Sequence, residues 1–377
     1  MRKATFTIFL AAAMMLLQGF AADESAIQVN PGGTLDADIE TGGSVHIKGS
    51  DVNEIRVRWQ TDGRDTDNIR IAVEKTGKGA RITSTHSDGR RQGGHSLEIW
   101  VTTPKRFDLD VRTKGGNVEV ADIEGKIAGQ TMGGNITFMG ITGELSFSTM
   151  GGNISLADSD VDGKVSTMGG NITVKNVAGN AHVSTMGGNV VLENVLERGG
   201  RSIDKAVEVS TMGGNITVAN APRGARVETK GGNIVIKKSA EFVDAKTMGG
   251  NITVNEHAGR VAASTMGGNV NAVIVPGGAD QNVDINSMGG QIALTLPSEF
   301  SGIFDLEITF TRKGSQDVKI ISDFPLQQQV SPDWERGQGD ARKYIRATGT
   351  TGSGANRVKI RTVNGDIVIR KAVASRQ

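Results

Sequence analysis

Five histidines could serve this chain as bases or metal ligands: His46, His86, His95, His182 and His257. No two of them form the H-E-x-x-H pair that places two ligands and a general base on one helical face. Each is read as a surface or corner residue. Cysteine is absent, which removes disulfides and thiol chemistry. No G-x-S-x-G elbow, no phosphate loop with Lys-Ser/Thr and no calcium-binding G-G-x-G-x-D nonapeptide occurs. The densest charges are Glu193, Glu197, Arg198, Arg201, Asp204 and Lys205. They read most simply as a solvated loop, and otherwise as a carboxylate pair suited to glycoside chemistry. No cofactor site and no resident metal site is expected.

The remaining chemistry is soft. Met132, Met150, Met168, Met186, Met212, Met248, Met266 and Met288 each precede a Gly-Gly pair. Thioethers select Cu(I), and methionine suits adaptable contact surfaces. The plainer use of such a row is packing over a glycine corner.

These methionines belong to a repeat. The phrase Gly-Gly-Asn-Ile-Thr-Val, or a close variant, has first glycines at Gly115, Gly133, Gly151, Gly169, Gly187, Gly213, Gly231, Gly249, Gly267 and Gly289. The steps are 18, 18, 18, 18, 26, 18, 18, 18 and 22 residues. Periods of this size mark stacked architectures, in which one unit cannot bury its apolar side alone.

With the first glycine as position 1, positions 4 and 6 are apolar, as in Ile172 and Val174. Positions 13 and 15 are mostly apolar, as in Ala181 and Val183, and position 5 is usually Thr or Ser. Alternation of period two is a strand with one buried face. Each repeat therefore holds two short strands, joined by the Gly-Gly corner and by a looser corner such as Val177-Ala178-Gly179-Asn180. Adjacent glycines and runs of Thr, Val and Ile oppose a helix. A hexapeptide left-handed β-helix would need apolar residues at positions 4, 10 and 16, but position 10 holds Glu124, Thr142 and Asp160, and position 16 is usually Ser.

The predicted fold is all-β: a single-stranded parallel β-solenoid (a β-helix) with 18-residue coils and β-rich caps at both ends. Right-handed coiling follows from the general handedness of parallel crossovers. Ten coils would run roughly 48 Å at the strand spacing. Residues 1–22 form a signal peptide, 23–112 an N-terminal β-rich cap with lead-in strands, 113–295 the solenoid, and 296–377 a C-terminal cap ending in a repeat-like strand. Two insertions, 196–207 and 275–282, sit at the loose corner.

Position 17 is Thr in nine repeats and Ser287 in the tenth. It falls inside, where its hydroxyl can bond a neighbouring coil. Position 18 then faces out: it is Met eight times and Lys at Lys114 and Lys230, and a fully buried site would not accept an ammonium without large cost. Asn at position 3 suits a turn residue that bonds its own backbone or its counterpart above. The second glycines, Gly116, Gly134, Gly152, Gly170, Gly188, Gly214, Gly232, Gly250, Gly268 and Gly290, are read as structural corner residues, most simply through a positive φ at one glycine of each pair. The outward Thr row is broken by Glu119, Val191, Val235, Asn271 and Ala293, which argues against an ice-binding face.

The first residues carry Arg2 and Lys3, an apolar stretch from Ala4 to Leu17 and a small-residue site at Gly19-Phe20-Ala21-Ala22, the pattern of a secretory signal. Removing that segment leaves 40 basic against 41 acidic residues, a net charge of −1. No basic excess points to nucleic acid. No later segment is apolar enough to span a membrane. The chain is expected to be exported, to the periplasm or the cell exterior.

Several features together resemble a known bacterial family. They are the lead-in Ile99-Trp100-Val101-Thr102-Thr103-Pro104, the Gly-Gly-Asn-Ile repeats, Leu296-Pro297 and the closing Thr362-Val363-Asn364-Gly365-Asp366-Ile367. The chain is similar to the "putative adhesin" β-strand-repeat family, a domain of unknown function, over most of its length. The resemblance implies a single-stranded β-solenoid, often at the cell envelope, and supplies no catalytic residues. The expected function is that of a non-enzymatic adhesin-like or scaffolding protein whose flat faces bind a protein or polysaccharide of the envelope. The alternative is a polysaccharide lyase or hydrolase that uses the 196–207 insertion.

Overall fold

A computed structural model describes residues 23–372, apart from 65, 88–93, 195–205, 278–279, 316 and 336–339. The expected signal peptide, 1–22, lies outside the described residues. Among those described, every regular element is a strand except a single 3-10 turn at Thr66–Asn68.

The strands build two parallel ladders. In the first, Val118 pairs with Ile136, Ile136 with Ile154, Ile154 with Ile172, and Ile172 with Val190. The register then runs through Ile216, Ile234, Ile252, Val270 and Ile292. In the second, Thr113, Thr131, Thr149, Thr167, Thr185, Thr211 and Thr229 lie in one row. Equivalent repeat positions therefore face each other rung after rung. The 26-residue step keeps this register on both sides, since His182 pairs with Glu208 and Val190 with Ile216. The strand resumes at Val207, which is buried, so the end of the expected 196–207 insertion already belongs to the ladder.

Period-two alternation places the core. Ile172, Val174 and Val183 are buried, while Thr173 between the first two is exposed. The core is thin and largely aliphatic. Phe138 and Phe147, packed edge to face with centroids 5.3 Å apart, are an aromatic exception within the repeats. Position 9 also points inward: Ile123, Ile141, Ser159, Val177, Ala221, Ser239 and His257 are all buried. His257 is therefore a core residue and not the surface or corner residue expected. In the first four repeats the chain turns just before position 9, at position 8, where Asp122, Gly140, Asp158 and Asn176 have φ of 58°, 67°, 49° and 52°. These types accept the left-handed region with least strain. In some repeats the two strands run on through this corner as one, as in Ile154–Thr167 and Ile252–Thr265.

The sheet is mixed, which corrects the purely parallel arrangement expected. At the N-terminal end Asp23–Gln28 pairs antiparallel with Glu54–Gly63, which pairs antiparallel with His95–Pro104. Ile69–Thr76 and Gly79–His86 form a further antiparallel pair. At the other end Arg342–Thr351 lies antiparallel between Gly302–Thr311 and Gln327–Val330. A bare parallel stack would leave unpaired strand edges at its ends, and these hairpins occupy them.

The parallel ladders also extend beyond the regular repeats. Thr34–Ile39 joins Asp108–Thr113, and Ser44–Ser50 joins Val118–Ala121. Asn356–Val363 and Ile367–Lys371 join Val283–Ser287 and Ile292–Leu296. The insertion before Asn282 is tied to this closing strand: the Arg357 amide donates to Asn282 Oδ1, and the Gln281 amide to Asn356 Oδ1.

Candidate functional site: the methionine–serine face

The Gly-Gly-Asn corner is built from three stacked rows. Thr167 Oγ1 donates to the Gly152 carbonyl one rung away at 2.8 Å and accepts the Gly170 amide of its own rung at 3.2 Å. The same bridge recurs at Thr149, Thr185, Thr229, Thr247 and Thr265. The Asn171 amide donates to Asn153 Oδ1 at 2.8 Å, and the Asn row repeats this from Asn117 to Asn269. A Cβ on Gly170 would overlap the Gly152 carbonyl oxygen, and one on Gly134 would overlap that of Gly116.

The glycine requirement is thus one of rung-to-rung approach. Among the second glycines only Gly116 has a left-handed φ, 92°. The positive φ expected at each Gly-Gly pair is therefore found at one corner, and in the first four repeats a left-handed residue lies at position 8 instead. The first glycine of each pair is roomier: a Cβ on Gly169 would meet its nearest neighbour, the Gly151 oxygen, at an ordinary 3.7 Å.

Because position 17 is locked inward, its neighbours point out. The eight methionines of position 18 are 44–62% exposed. Their backbones are held by the stack: the Met168 amide donates to the Thr149 carbonyl, and the Gly169 amide to the Met150 carbonyl. Beside them run Ser148, Ser166, Ser184 and Ser210 of position 16. Together the two rows line an open groove of about 700 Å³ that reaches from Gln130 to Lys230. Lys114 and Lys230 occupy the methionine position at two rungs, and Lys114 lies 3.6 Å from Glu40. The result is a polarizable apolar stripe edged by hydroxyls.

Charge lies on the neighbouring outward row. Lys164, His182, Glu208, Arg226 and Asp244 face one another in register. His182 Nδ1 is 2.9 Å from Glu208, and Arg226 is 3.6 Å from the same carboxylate. Arg226 and Arg260 lie over the Phe242 ring. These pairs are exposed, and such pairs add little stability.

The other histidines are dispersed. His46 Nε2 is 2.7 Å from Glu98 and its Nδ1 2.9 Å from Glu119, and the ring stacks on Trp100. Burial opposes its charge, but the hydrogen bonds and charges of Glu98 and Glu119 outweigh burial and raise its pKa above 6.5. His86 and His95 pack edge to face. His257 Nε2 lies 3.0 Å from the Arg260 carbonyl, so that nitrogen carries the hydrogen, and Nδ1 accepts from the Ser239 hydroxyl at 2.8 Å. Burial lowers its pKa against its backbone partners, so folding favours its neutral form. Among the described residues no three His, Asp or Glu side chains are arranged to hold a metal. Of the charged insertion, Glu193 is described and lies 3.7 Å from Lys175. Glu197, Arg198, Arg201, Asp204 and Lys205 lie outside the described residues.

The model of the Toastrack DUF4097 family matches residues 35–323, in line with the resemblance carried by the repeats. No curated protein matches the chain. Among solved structures it is similar to a putative cell adhesion protein from Clostridium sporogenes: 9% identity, 93% of this chain and 100% of that chain covered, TM-score 0.19. It is similar to a putative lipid binding protein from Parabacteroides distasonis: 11% identity, 72% and 96% covered, TM-score 0.24. It is also similar to a putative adhesin from Bacteroides fragilis: 15% identity, 73% and 98% covered, TM-score 0.25. No helix among the described residues is long and apolar enough to cross a membrane.

Proposed function

The chain belongs to the Toastrack DUF4097 family, and we propose that it is an exported, non-enzymatic β-solenoid that binds a protein or polysaccharide of the cell envelope along its methionine–serine face. In this reading the coils hold 18 residues and wind right-handedly, with 23–112 and 296–377 as caps. It acts as an adhesin-like or scaffolding protein in the periplasm or at the cell surface. The observation that carries the reading is the half-exposed row of eight methionines, five of which, Met132 to Met212, line a shared groove. Folding leaves that much apolar surface in one line at a cost of unburied area, and contiguous exposed apolar patches mark interaction sites. Methionine adapts its shape to a partner better than a branched side chain does. The serine hydroxyls along the edge supply hydrogen bonds without charge.

The test is capture of a defined envelope component by the chain lacking residues 1–22. Wild type is expected to retain one discrete component, and a Met150→Ser, Met168→Ser, Met186→Ser variant with an unchanged melting curve is expected to release it. Equal retention would remove the face from the function. For export, fractionation of the producing cell should find the full chain outside the cytoplasm and the chain lacking 1–22 within it.

A further inference from the structure

We propose that the run Met132, Met150, Met168, Met186 and Met212 is a binding site for a soft monovalent metal ion, Cu(I) or its analogue Ag(I), held by thioether sulfurs of adjacent rungs. The proposal uses the same face as the docking reading but requires sulfur, where docking requires only apolar surface.

Residue choice is the first support. Ten rungs sample this position, and it holds Met eight times and Lys twice, never Leu, Ile, Val or Phe. The inward positions of the same repeats use those aliphatic types freely. A lid over the glycine corner would accept any of them. What methionine adds is a polarizable sulfur lone pair, the donor that soft ions select.

Register is the second. The threonines just before these methionines pair directly, as Thr149 does with Thr167 and Thr167 with Thr185. Neighbouring methionines therefore start about 4.8 Å apart. Three rotatable bonds let each side chain lean along the row, so two or three sulfurs can close on one ion while the backbone stays fixed. The run is 44–53% exposed, which leaves an open path to each sulfur.

The third is that no cluster of harder donors competes among the described residues. The chain has no cysteine, and the described His, Asp and Glu side chains make no metal cluster. Lys230 sits in the row between Met212 and Met248. Its ammonium repels a cation there and divides the row, which makes the five-residue run the principal site and Met248, Met266 and Met288 a shorter one.

The chain lacking residues 1–22, with its methionine methyl groups labelled with 13C, would be titrated with Ag(I) in chloride-free buffer, and with Cu(I) against a chromophoric Cu(I) chelator. The methyl signals of Met150, Met168 and Met186 are expected to shift on Ag(I) addition and to stay still with Zn(II) or Ca(II). Met150→Leu, Met168→Leu, Met186→Leu keeps the stripe apolar and should weaken Ag(I) binding by about tenfold or more. If that variant does not fold, the single Met168→Leu change is read by the same methyl shifts at Met150 and Met186, which should weaken. Unshifted methyl signals, or unchanged Ag(I) affinity in the leucine variant, would overturn the proposal. Envelope capture is measured on the same leucine variant. Capture kept while Ag(I) binding is lost separates the metal site from docking, whereas capture absent from wild type overturns docking alone.

Discussion

Gly170 approaches Gly152 so closely that a Cβ on the first would overlap the carbonyl oxygen of the second. Gly169, its neighbour in sequence, has ordinary van der Waals room. The two glycines of one corner should therefore respond oppositely to the same methyl group. Gly170→Ala is expected to lose at least about 3 kcal/mol, because backbone and not a flexible side chain must move. Gly169→Ala should fall between no change and a gain of about 1 kcal/mol, through the smaller entropy of the unfolded chain. Urea midpoints of both variants, measured side by side, decide it. Equal midpoints would show that the rungs are not stacked as described.

Thr167 is the second point of sensitivity. Thr167→Val keeps the shape and deletes the hydroxyl, leaving the Gly152 carbonyl and the Gly170 amide without their side-chain partner. A cost of about 1–3 kcal/mol is expected. Thr173→Val, on the exposed side of the adjoining strand, should stay within about 0.5 kcal/mol of wild type. A more damaging Thr173 variant would reverse the assignment of the two faces.

The asparagine row should be milder. Asn153 Oδ1 accepts the Asn171 amide at an exposed corner, where water can take over the bond. Asn153→Ala is expected to cost about 0.5–1.5 kcal/mol, less than Thr167→Val. A larger loss than at Thr167 would mean that the asparagine row, and not the threonine row, holds the corner.

Two histidines should give opposite pH dependences. Glu98 and Glu119 raise the folded pKa of His46 above 6.5 despite partial burial, so folding favours its protonated form. That stabilisation is complete below pH 6.5 and is lost as pH rises through the folded value. Burial lowers the folded pKa of His257, so folding favours its neutral form, and its stabilisation is present above pH 6.5 and lost as pH falls through the folded value. Denaturant midpoints of wild type and His46→Gln, taken from about pH 5 to 8, should converge toward the alkaline end. A gap that widens with pH would contradict the raised value.

Much of the repeat was legible because two periods coincide in it. Alternation at Ile172, Thr173 and Val174 marks inside and outside, and the recurrence of that triplet sets which rungs meet. The threonine of position 17 followed from the same alternation. Position 9 was not legible: it holds Ile141, Ser159, Val177 and His257, mixed types that conceal the inward alternation His257 shares with Gly259 and Val261. The reason for the second glycine was also hidden. Sequence suggests torsional freedom, and the cause at Gly170 is the distance to another rung. The hairpins at the ends could not be read, since the pairing of Glu54–Gly63 with His95–Pro104 depends on contacts distant in sequence.

The closing strand has a consequence for the order in which the molecule can form. Within the repeats each rung needs only the residues just made, since Asn171 bonds Asn153 at a separation of 18. Such a stack can grow by addition as the chain lengthens, with little loop to close at each step. The ends are different. Thr113 bonds Gly43 across 70 residues, and Arg357 bonds Asn282 across 75. The last of these cannot be made until the chain has been extended through Arg357. Until then the rung at Ile292–Leu296 lacks its neighbour and offers an open template to any passing strand. The final segment is thus a latch, and the interval before it shuts is when two copies of this chain are most exposed to joining each other.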